Sequence, residues 1–194
     1  MQNAQGIDGA VSPGVARPQS IPRAGRLSQR RADPADNDFL RTLFAESRPD
    51  LALLPEAVRG QLIRLQFESQ SSQYCSLAPD AVDWILQLDR DGRTEPVGRC
   101  YLDQGPAEHR LLDLAIRPEW RGQGLGSAVL RRLCDEAGQA GVPLRLSVWR
   151  ANQGAIRLYR RHGFGADGAE AGTESDSSEM TGYLHMHWSA GEMR

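Results

Sequence analysis

A mixed α/β fold on a mostly antiparallel sheet is what this chain of 194 residues predicts. Three patterns carry that expectation. Short runs of alternating apolar residues follow one another between positions 81 and 116, joined by turn residues, as in a strand meander. From position 111 onward, strand-like and helix-like stretches alternate, which is the rhythm of β-α-β units. Between the two regimes sits a glycine-rich segment that follows a strand pattern and precedes a helical one. The sum is a central sheet of about six to seven strands flanked by about four helices.

The elements follow in order. Residues 26–32 read as a short strand, after which Asp33 offers an N-cap and Pro34 suits a first helical turn. Phe39, Leu40, Leu43 and Phe44 recur at helical spacing. A second helix starts near Pro55 and carries Val58, Leu62, Leu65 and Phe67 to about Ser69. Strands are expected over 81–89, with Val82, Trp84, Leu86 and Leu88 on one face, over 97–103 and over 111–116, with an Asp91-Gly92 turn between the first two. Residues 124–140 form a helix with Leu125, Val129, Leu130, Leu133 and Ala137 inward, ended by Gly141 and Pro143. A strand over 144–149, a helix capped by Asn152 and stopped by Gly163, and a strand over 183–188 complete the body. Two segments lack core-forming residues. Residues 1–25 read as a disordered tail, and 165–179, with its carboxylates and no base, as a mobile acidic loop on a domain spanning 26–190.

Composition excludes several chemistries. All 23 basic residues are arginine, so a Schiff-base lysine, a lysine general base and a P-loop lysine are absent. Cationic work falls to Arg, which keeps its charge and grips carboxylate or phosphate with two donors. A formal charge of -2 is no footprint of a nucleic-acid binder. No apolar run has the roughly 20 residues of a membrane helix, and no secretory h-region opens the chain. Cys75, Cys100 and Cys134 are too scattered for a disulfide framework or a zinc site, so a reducing cytoplasm and a metal-free protein are expected.

The informative segment is R-P-E-W-R-G-Q-G-L-G-S at 117–127. Glycines permit positive φ and close approach of a ligand to the backbone. The helix that follows offers unpaired N–H groups and the positive end of its dipole, which together suit a pyrophosphate. The P-loop pattern fails for want of lysine, and the dinucleotide fingerprint fails because its third glycine would fall on Ser127. The pattern R-x-x-G-x-G is met by Arg121, Gly124 and Gly126; a glycine turn without a ligand is the alternative.

Three ordered pieces then carry a family resemblance: L-D-L-A-I-R-P-E-W-R-G-Q-G-L-G at 112–126, L-S-V-W-R-A-N at 146–152 and A-I-R-L-Y-R-R-H-G-F at 155–164. From about Arg26 to Trp188 the chain resembles the GNAT family of acetyl-coenzyme A-dependent N-acyltransferases. The resemblance implies pyrophosphate on the backbone of Arg121, Gly122, Gln123, Gly124, Leu125, Gly126 and Ser127, and a pantetheine arm lying along Leu114, Ala115 and Ile116, with Asn152 and Tyr159 nearby. It also implies a strand pair that splays open between 111–116 and 144–149.

The reaction so implied is direct attack of a neutral amine on a thioester, with a backbone N–H near Ala115 or Ile116 facing the oxyanion. Tyr159 is the candidate acid for the leaving thiolate, against a packed tyrosine. Asp113 is either a base or a structural hydrogen-bonding group; Glu68, Glu108 and His109 are other bases, and each also reads as a surface group. Cys134 reads as core, and Trp84, Trp149 and Trp188 as packing. His185 and His187 alternate on one strand face, and a packing or polar-face role is favoured over a metal. The expected partner is a small primary amine, with no nucleic acid and no membrane, in a monomer or homodimer. A protein N-terminus is the alternative acceptor, since V-W-R-A-N-Q-G-A-I-R-L-Y resembles the ribosomal-protein alanine acetyltransferases. A coenzyme A-binding module without turnover is the alternative from outside catalysis.

Overall fold

Pairing of short strands builds a seven-stranded sheet in the order β1-β2-β3-β4-β5-β7-β6, seen in a computed structural model that describes residues 25–167 and 182–191. The expected tail, apart from Gly25, and the acidic segment beyond Asp167 lie outside the described residues. The strands are β1 (Arg26–Arg31), β2 (Val82–Arg90), β3 (Arg93–Gln104), β4 (His109–Ile116), β5 (Leu144–Trp149), β6 (Gly165–Ala166) and β7 (Tyr183–Trp188). The helices are α1 (Asn37–Glu46), α2 (Glu56–Leu77), α3 (Leu125–Ala140) and α4 (Gln153–Arg161). Every neighbouring pair is antiparallel except β4–β5. This is the mixed α/β sheet that the sequence predicts.

Local chemistry explains the boundaries. Asp33 caps a short 3-10 turn ahead of α1 by accepting the Ala35 amide at 2.8 Å, and the Asp36 carboxylate accepts the Asp33 amide at 2.9 Å, so orphan donors on both sides of the turn are satisfied. Asp91 and Gly92 take positive φ in the β2–β3 hairpin. The left-handed Gly141 ends α3, and Asn152 caps α4 by accepting the Ala155 amide at 3.1 Å. Two expectations need correction. α2 continues past Ser69 to Leu77, because S-Q-S-S-Q-Y-C-S contains no breaker and Tyr74 packs edge-on against Tyr101. The presumed acidic loop does not begin at 165, since Gly165 and Ala166 pair with β7.

One face of the sheet carries the main core. Leu125, Val129, Leu130, Leu133 and Ala137 line the inner face of α3 and meet Leu86, Cys100, Leu111, Leu146 and Met186, all buried. The other face, under α1 and α2, holds Asp83, Arg99, Tyr101 and Asp113, placed together by the registers Asp83↔Tyr101 and Tyr101↔Asp113.

Where β4 meets β5, pairing stops early. Only His109↔Leu144, Arg110↔Arg145 and Leu111↔Leu146 are matched, while β4 runs on to Ile116 and β5 to Trp149. On their outer sides both strands stay paired, β4 to β3 and β5 to β7. A bulge marks the branch point: Leu102 faces Leu111 and Tyr101 faces Asp113, which leaves Leu112 as the extra residue. A bulge bends its strand and raises its twist, and β4 turns away from β5 there.

Two stability predictions follow. Leu130→Ala removes a side chain with no solvent exposure and should cost about 2–5 kcal/mol in urea unfolding. Asp36 is held below the usual carboxylate range, chiefly by its hydrogen bonds to Arg30. A lowered folded pKa stabilises above the unfolded value of about 3.9, and the gain disappears as pH falls through the folded value. Asp36→Asn should therefore lose about 1 kcal/mol at pH 7, reduced by the partial exposure of Arg30, and match the parent chain near pH 2 in acid titrations of stability.

Candidate functional site: a split sheet beside a glycine loop

The loop after β4 begins with a 3-10 turn over Pro118–Trp120. Gly122 and Gly124 have φ of 75° and 85°, a region that favours glycine, and open space lies where their Cβ atoms would be. Gly124 caps α3 without a side-chain acceptor, and the first intrahelical bond is from the Ala128 amide to the Gly124 carbonyl. Among the described residues, the backbone amides from Gly122 to Ser127 donate to no protein group. The loop is thus a run of unpaired donors at the positive end of a helix. Gly126 faces α4 instead, where a Cβ would meet Leu158 at 3.4 Å, an ordinary van der Waals contact.

The inner edge of β4 has a definite polarity. Arg117 donates its amide to Val97, and the Ala115 carbonyl points at Gly98 of β3. Strand alternation then turns the amides of Leu114 and Ile116 toward the opening. The Ile116 carbonyl accepts the Arg121 Nε at 2.8 Å, which ties the loop arginine to the strand end and leaves its terminal nitrogens outward. Asn152 spends its side chain on the α4 cap.

Tyr159 is buried on α4, its ring 5.7 Å from that of Phe164, and its hydroxyl has no hydrogen-bond partner among the described residues. Burial first, then the charge of Asp113, push the phenol well above its ordinary value, so it keeps its proton at neutral pH. Asp113 lies on the opposite face from Leu114, with 28% of its side chain exposed, and accepts from Arg99 at 3.3 Å. Burial raises its carboxyl, and Arg99 pulls the other way.

Sequence reasoning missed the centre of that arrangement. Arg99 is only 5% exposed. It grips both oxygens of Asp83 at 2.8 Å, reaches Asp113 and lies 4.9 Å from the Tyr101 ring. Burial alone would depress its guanidinium, but the Asp83 hydrogen bonds and the Asp113 charge outweigh that and raise it. The legible signal was a charge inside each apolar strand, in V-D-W-I and V-G-R-C-Y: buried charges have partners.

The other candidate bases lie elsewhere. Glu108 and His109 sit at the paired end of β4, Glu108 binding Arg110 at 2.6 Å and Arg145 at 3.0 Å. Glu68 lines a cleft of about 460 Å³ under α1 and α2, floored by Asp83, Arg99 and Tyr101. Cys134 is buried, as expected, with its thiol pushed up to about 12 by burial. Trp188 is packed, but Trp149 is a correction: it is 51% exposed and stands edge-on to the 45% exposed Tyr183 at the mouth of the opening. Exposure follows from strand alternation: Leu144, Leu146 and Val148 face the core, which turns Arg145, Ser147 and Trp149 to the other face. His185 meets Ser147 at 2.8 Å and His187 meets Asp167 at 2.6 Å, so both lie on a polar sheet face.

Arg99→Leu should strand two carboxyls and cost about 3–5 kcal/mol at pH 7. Part of that loss should return on acidification as Asp113, whose carboxyl burial already raises, becomes neutral; chemical denaturation at pH 7 and pH 4 reads the difference.

Comparison with known proteins agrees with this geometry. Residues 43–164 match the model of the Acetyltransferase (GNAT) family. The [ribosomal protein bS18]-alanine N-acetyltransferase of Escherichia coli K12 is 43% identical over 58 residues, which is 29% of this chain and 39% of that protein. A putative enzyme of the same name from Bacillus subtilis is 27% identical over 114 residues, 57% of this chain and 73% of its own. The chain therefore spans well under half of the first of these relatives. In fold it is similar to PaiA N-acetyltransferase from Thermoplasma acidophilum, solved with coenzyme A, at a TM-score of 0.57 and 18% identity over 84% of this chain and 99% of that one. With the split sheet, the glycine loop and a family match across most of the body, this chain belongs to the GNAT acetyltransferase family.

Proposed function

We propose that the protein transfers an acetyl group from acetyl-coenzyme A to the primary amine of a small molecule. The observation that carries this reading is the run of unpaired amides from Gly122 to Ser127 opening directly onto the unpaired edge of β4. The fit to the cosubstrate is specific in chemistry. A pyrophosphate takes N–H donors and a helix N-terminus, and open space over Gly122 and Gly124 admits it. The amides of a pantetheine arm pair with an exposed strand edge as an added strand would. Arg121 supplies a cation beside the phosphates.

The chain's own groups then divide the work. The Ile116 N–H, turned into the opening, faces the thioester carbonyl oxygen and stabilises its negative charge during attack. This choice narrows the pair Ala115 and Ile116, because Ala115 is turned toward β3. Tyr159, buried and protonated, gives a proton to the departing thiolate. Asp113, oriented by Arg99, places negative charge beside the incoming ammonium. Trp149 and Tyr183 border the acceptor's entrance. An aromatic mouth of this kind suits a small cationic amine. A protein N-terminus is the second reading, favoured by the identity to the bS18-alanine enzymes over 58 residues.

Titration calorimetry with coenzyme A and acetyl-coenzyme A should show binding in the micromolar range, and heat absent at high micromolar concentration would sink the reading. Gly124→Val, which strains a positive φ and fills the open space, should weaken that binding more than tenfold. Tyr159→Phe should lower kcat about 10²-fold with coenzyme A affinity unchanged, read by thiol release against a panel of amines and N-terminal peptides.

A further inference from the structure

An amine that arrives as ammonium must lose a proton before it can attack, and the chain must offer a group to take it. Asp113 is already committed to Arg99, and Glu108 and His109 lie at the closed end of β4. The geometry points to Ser147 and His185 as the proton-accepting pair of the acceptor site, a role that rests on the transferase reading above. Leu111↔Leu146 is the last pair joining β4 to β5, so Ser147 is the first residue of β5 beyond the branch. Leu146 and Val148 are buried in the core, which turns Ser147 to the opposite face, the face that carries Asp113. Cross-strand register puts His185 directly beside it, and Ser147 Oγ and His185 Nδ1 are 2.8 Å apart. Both residues face solvent, two register steps from the Trp149–Tyr183 mouth and on the same face.

Histidine is the side chain whose ordinary pKa lets it accept a proton near neutrality. With Nδ1–H donated to Ser147 Oγ, the neutral imidazole presents Nε2 as the acceptor. The step balances as follows. Nε2 takes one proton from the ammonium, directly or through a water. The freed lone pair forms the N–C bond to the thioester carbon, the C–S bond breaks, and the thiolate leaves with the proton that Tyr159 supplies. The nitrogen's second proton restores Tyr159, and the imidazolium returns its proton to solvent. Charged and titratable groups around the pair are Arg145 on β5, Tyr183 and His187 on β7, Asp167 after β6, whose amide donates to the His185 carbonyl, and Asp113 across the opening. Asp167 is itself tied to Arg145 and His187, at 3.0 and 2.6 Å, and among the described residues Ser147 is the side chain that orients His185.

The deciding experiment measures kcat/KM across pH 6 to 10 for the full chain, His185→Gln, Ser147→Ala and Asp113→Asn, together with coenzyme A affinity as the control for folding. The expected result is a loss of about 10²-fold in His185→Gln at pH 7 that shrinks as pH approaches the amine's own pKa, with coenzyme A binding intact. Ser147→Ala, which removes only an exposed hydroxyl, should lose less and shift the acid limb of the profile. A His185→Gln chain within twofold of the parent at every pH, or an acid limb that vanishes in Asp113→Asn and persists in His185→Gln, overturns the pair. A parent chain that binds acetyl-coenzyme A yet turns over no amine overturns the transferase reading itself, and this role with it.

Discussion

The early end of β4–β5 pairing is the constraint on which the site depends. Backbone N–H and C=O groups within a sheet are normally paired, because an unpaired buried group costs free energy. Here two adjacent central strands separate after Leu111↔Leu146 and leave their facing edges without each other. The separation holds because each strand is secured on its outer side, β4 by β3 and β5 by β7. It is also supported from beneath, where Leu144, Leu146 and Val148 pack into the same core as α3 and α4. The molecule therefore carries a strand edge in its middle, aimed at the glycine loop.

The two faces of the split differ in chemistry. The core face offers Tyr159, whose hydroxyl lacks a partner among the described residues. The helix-covered face offers Arg99, clamped by Asp83 and touching Asp113. That ion-pair group is expensive to bury and contributes little net stability unless every donor is used. Its cation–π contact with Tyr101 and its hydrogen bonds to Asp83 supply that satisfaction, which fixes the orientation of Asp113 next to the opening. The gap is thus bordered by an apolar, hydroxyl-bearing face and a charged one.

Much of this was legible in the sequence, and the reasons are local. The glycine loop announced itself because positive φ at Gly122 and Gly124 demands the residue type, and α3 because its apolar spacing is strong and its ends carry glycine. Asn152 was readable as a cap for the same kind of reason. What resisted was set by register. The bulge at Leu112 decides where β4 leaves β5, and nothing in L-L-D-L-A-I marks it. The Asp83–Arg99–Asp113 group joins residues from separate strands, and the continuation of α2 to Leu77 depends on Tyr74 meeting Tyr101. Trp149 looked like packing because strand tryptophans usually pack, but alternation places it on the face of β5 turned away from the core. The surroundings of Ser147 and His185 were hidden equally, since cross-strand neighbours cannot be read from one strand.

Amide hydrogen exchange, residue by residue, with and without coenzyme A, tests the central claim most directly. The account predicts slowed exchange at Leu114 and Ile116 and from Gly122 to Ser127, the amides that face the opening or have no protein acceptor, with little change in β1 and β2. Protection confined to other elements, or none at saturating coenzyme A, would contradict it.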